Sequence, residues 1–184
     1  MGYSFMQYDE AMKFFENVKN ENLKKHMISV AAIMQKLAEK FGEDAEKWRI
    51  VGLLHDIDYE FTDMEEHGKV AADMLKNFLP DDALNAIRAH NEKTGYKPEK
   101  KLDYALIASD AISGLIVAAA LVMPDKKLSK VSVKTLKNKF KDKSFARKIS
   151  REKILYCEKL GLSLEEFFLL SLNAMKDIAN QIGL

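Results

Sequence analysis

Residues 102–123 read LDYALIASDAISGLIVAAALVM, the most apolar stretch of the chain. It is long enough to cross a bilayer, yet it carries Asp103, Ser109, Asp110, Ser113 and Gly114, and an aspartate at the centre of a lipid-facing helix is costly. The stretch therefore reads as the buried core helix of a folded domain, with Asp110 at its middle and no Lys or Arg within a helical turn. Aspartate is rarely buried without a partner, so something from elsewhere in the chain must compensate it.

Outward from this helix, apolar residues recur three and four apart almost throughout, only three prolines and eight glycines interrupt them, and strand-like alternation is absent. The fold class is all-α. A first helix is predicted over Tyr8 to Val18 and a second over Glu21 to Phe41, closed by Gly42 as its cap, with His26, Val30, Ile33, Leu37 and Phe41 facing inward. A third starts near Glu43 and carries Trp48, Val51, Leu54 and His55. Asp63 followed by Glu66 has capping-box spacing for a fourth helix reaching Leu79, with His67, Val70, Met74 and Phe78 inward. Pro80 and Asp81 open a fifth with Leu84, Ile87 and His90 on one side, and a Gly95 and Pro98 loop leads to the core helix. Beyond Pro124, one or two helices are expected between Val133 and Leu160, and a last one opened by Ser163 with Glu166 three residues on. Phe167, Leu170, Leu172 and Met175 are expected to pack on the bundle or to build a homodimer face.

The 184 residues, 47% hydrophobic and 31% charged, suit one domain, 1–184. Lys and Arg total 29 against 28 Asp and Glu, which gives no global pull towards nucleic acid or membrane. Cys157 is the only cysteine, so no intrachain disulfide forms; residues 1–10 have neither a basic nor an apolar leader region, and a cytoplasmic location is expected.

The chemistry-bearing residues use every histidine in the chain: His26, His55 beside Asp56, His67 and His90, with Asp110 completing the set. Each falls on a face that apolar neighbours a turn away mark as inward, and His55-Asp56 ends the apolar run Ile50-Val51-Gly52-Leu53-Leu54. Singly, each histidine has an ordinary explanation as a hydrogen-bonded core residue. Jointly, buried imidazoles and carboxylates need a common partner, and a divalent metal binds both.

In order, residue type and helical setting, His26, the His55-Asp56 pair and Asp110 resemble the signature of the HD superfamily of metal-dependent phosphohydrolases, over roughly Asn22 to Met123; residues 124–184 form an extension outside the likeness. The resemblance implies an HD-type helical bundle with one divalent metal on those four residues. Members with a binuclear centre add two histidines between the pair and the last aspartate, and His67 and His90 look like those two, which would make Asp56 a bridge. The ions could be Mn, Fe, Co, Ni, Mg or Zn. The likeness is not to the cyclic-dinucleotide phosphodiesterases, which have a lysine where this chain has Tyr59, a second histidine where it has Asn91, and a Gly-Tyr-Pro element that Gly95-Tyr96-Lys97-Pro98 only echoes. Nor is it to the guanosine-polyphosphate hydrolases, whose Glu-Asp pair is placed differently from Asp58 and Glu60.

The expected activity is hydrolysis of a phosphomonoester or phosphodiester, with a nucleotide or related small phosphoester as substrate, because divalent ions acidify water and steady phosphoryl oxygens. Asp56 is expected to act at the reacting centre. A proton shuttle is sought among Asp58, Glu60 and Glu92, with Asp58 the first choice for its closeness to Asp56 and a solvated loop acid the plain alternative for each. Lys93 and Lys97, with Lys100 and Lys101, crowd the loop after His90 and either bind phosphate or solubilise the loop. Between Lys126 and Lys153 stand twelve Lys and Arg against Asp142 and Glu152. Such a run steers polyanions, but with only Phe140 and Phe145 interleaved for stacking it is read as a solvated face, and nucleic acid is set aside as a partner. Two other functions fit the same residues. One is a di-iron oxygenase of the same superfamily; the other is a non-catalytic metal- or nucleotide-binding module.

Overall fold

The computed structural model describes residues 5–184; the first four residues of the N-terminal stretch read for a leader lie outside them. Its core is organised around the predicted apolar helix, here α6 (Lys101–Leu121), whose residues Leu106, Ile112, Leu115 and Ile116 are fully enclosed. Composition and length alone would let α6 cross a membrane, yet it is enclosed by α2 (Glu21–Phe41), α5 (Asp81–Ala89), α7 (Val133–Lys141), α8 (Arg151–Ile154) and α9 (Leu164–Asp177). The other elements are α1 (Tyr8–Glu16), α3 (Ala45–Leu54), α4 (Lys69–Leu75) and α10 (Ala179–Ile182), with short 3-10 turns at Glu92–Thr94, Leu128–Lys130 and Leu155–Leu160. Among the described residues there is no strand, and the architecture is an all-α helical bundle.

Caps fix most of the boundaries. Asn20 accepts from the Leu23 amide at the start of α2, Gly42 closes that helix at φ +67°, and Asp44 accepts from the Lys47 amide to open α3. Ser163 and Glu166 form the reciprocal box expected for α9, each accepting from the other's amide. The helix α9 buries Phe167, Leu172 and Met175 against α2, α6 and α7, with Leu170 half-buried, so the C-terminal segment is part of the core.

The fourth helix departs from expectation. Asp63 does cap a turn, its side chain accepting from Glu66 N and its carbonyl from His67 N, but the turn does not propagate. Gly68 takes φ +97°, which breaks the helical path and lets the chain pass under α5, where a Cβ would lie 2.9 Å from the Ile87 carbonyl oxygen. The helix restarts at Lys69 with a new phase and ends at Leu75. Ala71, Ala72 and Leu75 face the core, while Met74 and Phe78, expected inside, are 38% and 39% exposed.

Helices α2 and α3 pack extensively and at close range. Gly52 makes this possible: a Cβ there would sit 2.9 Å from Ala31 Cα and 3.0 Å from Ala31 N. Because α3 ends at the His55-Asp56 pair, this approach sets where the pair emerges. Gly52→Ala is expected to push α3 off α2 and to lower stability by about 1–3 kcal/mol, the range of overpacked cores, read by urea unfolding; an unchanged midpoint would contradict the packing described.

Candidate metal centre

Six side chains from separate elements meet at the mouth end of this bundle. His26 comes from α2, His55 from the C-cap of α3, Asp56 from the turn after it, His67 from the turn before α4, His90 from the C-cap of α5 and Asp110 from the middle of α6. They form two groups in which one ligand atom per residue lies within 4.8 Å of all the others: His26, His55, Asp56 and Asp110, and Asp56, His67 and His90. Asp56 belongs to both. Its Oδ2 lies 3.3 Å from His26 Nε2 and 3.2 Å from His55 Nε2, and its Oδ1 lies 3.0 Å from His67 Nε2 and 3.2 Å from His90 Nε2. Asp110 Oδ1 approaches His26 Nε2 at 2.8 Å and His55 Nε2 at 3.4 Å. The compensation that Asp110 required thus comes from imidazoles of α2 and α3.

Ring orientation is fixed from behind. His55 Nδ1 donates to the Gly52 carbonyl at 2.7 Å and His90 Nδ1 to the Ile87 carbonyl at 2.5 Å, each using a carbonyl that the end of its helix leaves free. His67 Nδ1 donates to Asp58 Oδ1 at 2.6 Å. Ser113 Oγ spends its proton on the Asp110 carbonyl, so it accepts from His26 Nδ1 at 3.2 Å. All four Nδ1 atoms face an acceptor and carry the proton, which leaves every Nε2 lone pair turned towards carboxylate oxygens or, for His67 and His90, towards each other at 3.1 Å. Lone pair against carboxylate is repulsive unless a proton or a cation lies between. His55 Nε2 is the sharpest case: fully enclosed, it makes no hydrogen bond despite two carboxylates within 3.4 Å. This donor set fits a divalent ion of the kind that takes mixed imidazole and carboxylate ligands.

Without such an ion, protons fill the role. Burial works against a charged imidazole, but the Asp110 and Asp56 carboxylates outweigh it and push His26 up to about 9; Asp56 and Asp58 do the same for His67, also to about 9. Burial would raise Asp110 as well, and the His26 and His55 imidazoles instead hold it well below the usual carboxylate range. His26 and Asp110 keep 26% and 30% of their side chains open to the cavity, so water screens this pair more than it screens Asp56.

Asp58 does not lie at the cavity where its closeness to Asp56 in sequence placed it. It is completely buried, its Oδ1 taken by His67 and its Oδ2 by the amides of Gly68 at 2.7 Å and Ala71 at 2.9 Å, so it faces away from the cavity and orients a histidine rather than water. Glu60 lines the cavity but accepts from the amides of Lys19 and Asn20, tying the turn after Asp56 to the start of α2. Asn91 is another clamp, donating to the carbonyls of Met64 and His67.

The cluster opens on a cavity of about 910 Å³, whose cations are Lys19 and Lys153. The loop lysines expected there lie elsewhere. Lys93 points to Glu65 at 3.9 Å, Lys97 lines a separate side pocket, and Lys101 lies over the Phe41 ring. Asn22, also on the cavity wall, was legible in principle, since it precedes His26 by four residues and shares its helix face. Lys19 and Lys153 carried no such signal; Lys153 was one charge in a run of twelve. A neighbour in that run, Arg151, is structural: its guanidinium donates to the carbonyls of Lys139, Phe140, Asp142, Phe145, Ala146 and Ile149 and holds the 142–149 loop on α8.

The sequence profile of the HD domain matches residues 23–112, the span that contains all six residues. Among curated proteins the chain is similar to Ribonuclease Y of Lawsonia intracellularis, 29% identical over 88% of this chain and 31% of that protein, and to Ribonuclease Y of Aquifex aeolicus, 30% identical over 92% and 31%. An uncharacterized protein of Methanocaldococcus jannaschii is 29% identical over 57% of this chain and 65% of its own length. The chain spans about a third of the length of the Ribonuclease Y proteins it matches. No solved structure matches it significantly.

Metal ligation requires neutral imidazoles, and those of His26 and His67 hold their protons up to about pH 9. Loading the metal-free protein with Mn(II) at pH 7 is therefore expected to release protons, and apparent affinity to rise as pH climbs towards 9. Calorimetry in two buffers of different ionisation enthalpy measures this. Binding without proton release would contradict the protonation pattern.

Proposed function

The chain belongs to the HD domain family through residues 23–112, and from that premise we propose that it is a metal-dependent phosphohydrolase acting on nucleotide phosphoesters. The observation that carries this is the division of Asp56, one carboxylate oxygen towards each group of imidazoles, at the floor of a cavity with two cationic rim residues. Two ions would then share Asp56, His26, His55 and Asp110 holding one and His67 and His90 the other. Bound there, divalent ions supply polarisation of a phosphoryl oxygen and acidification of water to near neutral pH.

The protein's own groups do the rest. Lys19 and Lys153 offset phosphoryl charge, and Asn20 and Asn22 offer hydrogen bonds to a sugar or base. About 910 Å³ lies in the range of sites that take a nucleotide-sized ligand. Asp58 sets the His67 tautomer and is enclosed away from the cavity, while Glu60 spends Oε1 on the amides of Lys19 and Asn20 and keeps Oε2 only lightly engaged at the cavity wall.

RNA is the second reading. Two of the relatives are named Ribonuclease Y, and Tyr59 and Met64 stand exposed on the cavity wall with Phe61 close by in sequence, side chains of the kind on which bases stack. This reopens the nucleic-acid substrate that the scarcity of aromatics in the 126–153 lysine run argues against.

The test is reconstitution of chelated protein with Mn, Fe, Co, Ni, Mg or Zn in turn, assayed against nucleoside monophosphates and triphosphates, cyclic nucleotides, dinucleotides and short single-stranded RNA. Phosphoester hydrolysis with at least one metal is expected, falling by more than about a hundredfold in Asp56→Asn, beyond the usual effect of an outer hydrogen-bond partner. Oxygen-dependent turnover with iron alone, or full metal loading without hydrolysis of any substrate, would replace this reading with the oxygenase or the binding module.

A further inference from the structure

A second, smaller cavity of about 190 Å³ lies between the 92–98 loop and the Leu155–Leu160 turn, and it shares His90 and Lys153 with the main cavity. The two therefore meet at a residue of the imidazole cluster. Cavities of about 150 Å³ take a benzene-sized ring, so the side pocket has room for one planar ring system and not for a whole nucleotide.

Its chemistry suits such a ring. Tyr96 and Tyr156 supply aromatic surface, while Glu92, Lys97 and Lys153 supply an acceptor and donors. The walls are set in advance. Gly95 turns the loop at φ +82°, the Tyr96 amide donates to Thr94 Oγ1, and the Arg88 guanidinium lies 5.3 Å from the Tyr96 ring centre. Tyr156 packs edge-on against Tyr104, whose hydroxyl donates to the Pro98 carbonyl, so the two sides of the pocket are joined. The charges are largely uncommitted: among the described residues Lys97 has no ion-pair partner, and Lys153 has only Glu92 at 3.8 Å.

We propose that this side pocket binds the base of the nucleotide on one side of the scissile phosphate, with the other substituent in the main cavity, so that the enzyme prefers phosphodiesters joining two nucleosides over phosphomonoesters. A phosphoryl group at the imidazole cluster has Lys153 beside it, and a diester sends one arm past Lys153 into the pocket, whereas a monoester leaves the pocket unfilled. Hydrolysis then adds water across one P–O bond, releasing a nucleoside hydroxyl, which takes a proton, and a nucleotide monoester. The proposal rests on the phosphohydrolase reading above and goes beyond it by naming the diester and the residues that select it.

The experiment uses the full chain, metal-loaded, with three substrates: adenylyl-(3′→5′)-adenosine, adenosine monophosphate, and methyl p-nitrophenyl phosphate, a diester with a single ring. The wild-type protein is expected to favour the dinucleotide over the monophosphate. Tyr96→Ala, at a side chain 43% exposed, and Tyr156→Ala are expected to lower kcat/KM for the dinucleotide about tenfold relative to the one-ring diester, mainly through KM, as loss of a base–aromatic stack does. Tyr156→Phe should restore the ratio. Calorimetric binding of the dinucleotide to metal-free protein, weakened by the same variants, gives a readout independent of turnover. Equal losses on both diesters, no loss on either, or a wild-type preference for the monophosphate overturns the subsite. Hydrolysis of none of the three with no dinucleotide binding overturns the subsite together with the function it rests on.

Discussion

A carboxylate enclosed in an apolar bundle is the constraint from which the rest of this structure follows. Asp56 is nearly excluded from water, and ionised it is tolerable only with positive charge around both of its oxygens. The bundle meets this with four imidazoles, two towards each oxygen, and adds Asp110 on the side of His26 and His55. Because each imidazole is held through Nδ1 by an acceptor, none can turn away to relieve the crowding of lone pairs. The arrangement is stable with protons in the gaps, and it is better matched by divalent cations, which bring more charge and ask for that donor geometry.

Much of the surrounding structure keeps those rings in place. Two histidines sit at helix C-caps, where free backbone carbonyls are available to orient them. Gly52 and Gly68 allow approaches between chain segments that a side chain would prevent, one fixing α3 on α2 and the other passing the His67 turn beneath α5. Asp58, Glu60 and Asn91 each spend their polar atoms on backbone or histidine groups of the 55–68 turn, the start of α2 or the end of α5. Polar residues around the cluster are thus of two kinds. Some hold the loops, and a smaller number, Lys19, Asn22 and Lys153 among them, face the cavity.

The sequence disclosed the helices and the six convergent residues because both depend on local pattern. Apolar spacing marks the inward face, and a His or Asp on that face is conspicuous, as Asp110 is in α6. What local pattern does not encode was misread. Asp58, two residues from Asp56, was expected beside it at the cavity, but the chain reverses in a tight turn and sends the carboxylate to the back of His67. The helix expected from Asp63 to Leu79 breaks at Gly68, which takes a positive φ and lies so close to the Ile87 carbonyl that a Cβ would not fit, a tertiary fact. Lys93 and Lys97 are near His90 in sequence but are turned off the main cavity, whereas Lys153 reaches it from beyond the family-matched span because Arg151 anchors α8 against the 142–149 loop.

Anomalous diffraction from crystals of the protein loaded with manganese or iron tests the central claim most directly. A peak bounded by the Nε2 atoms of His26 and His55 with oxygens of Asp56 and Asp110 is the result this account requires, with a second peak among Asp56, His67 and His90 if the shared carboxylate bridges two ions. Metal bound elsewhere on the molecule, or imidazoles rotated so that Nδ1 faces the ion, would contradict it.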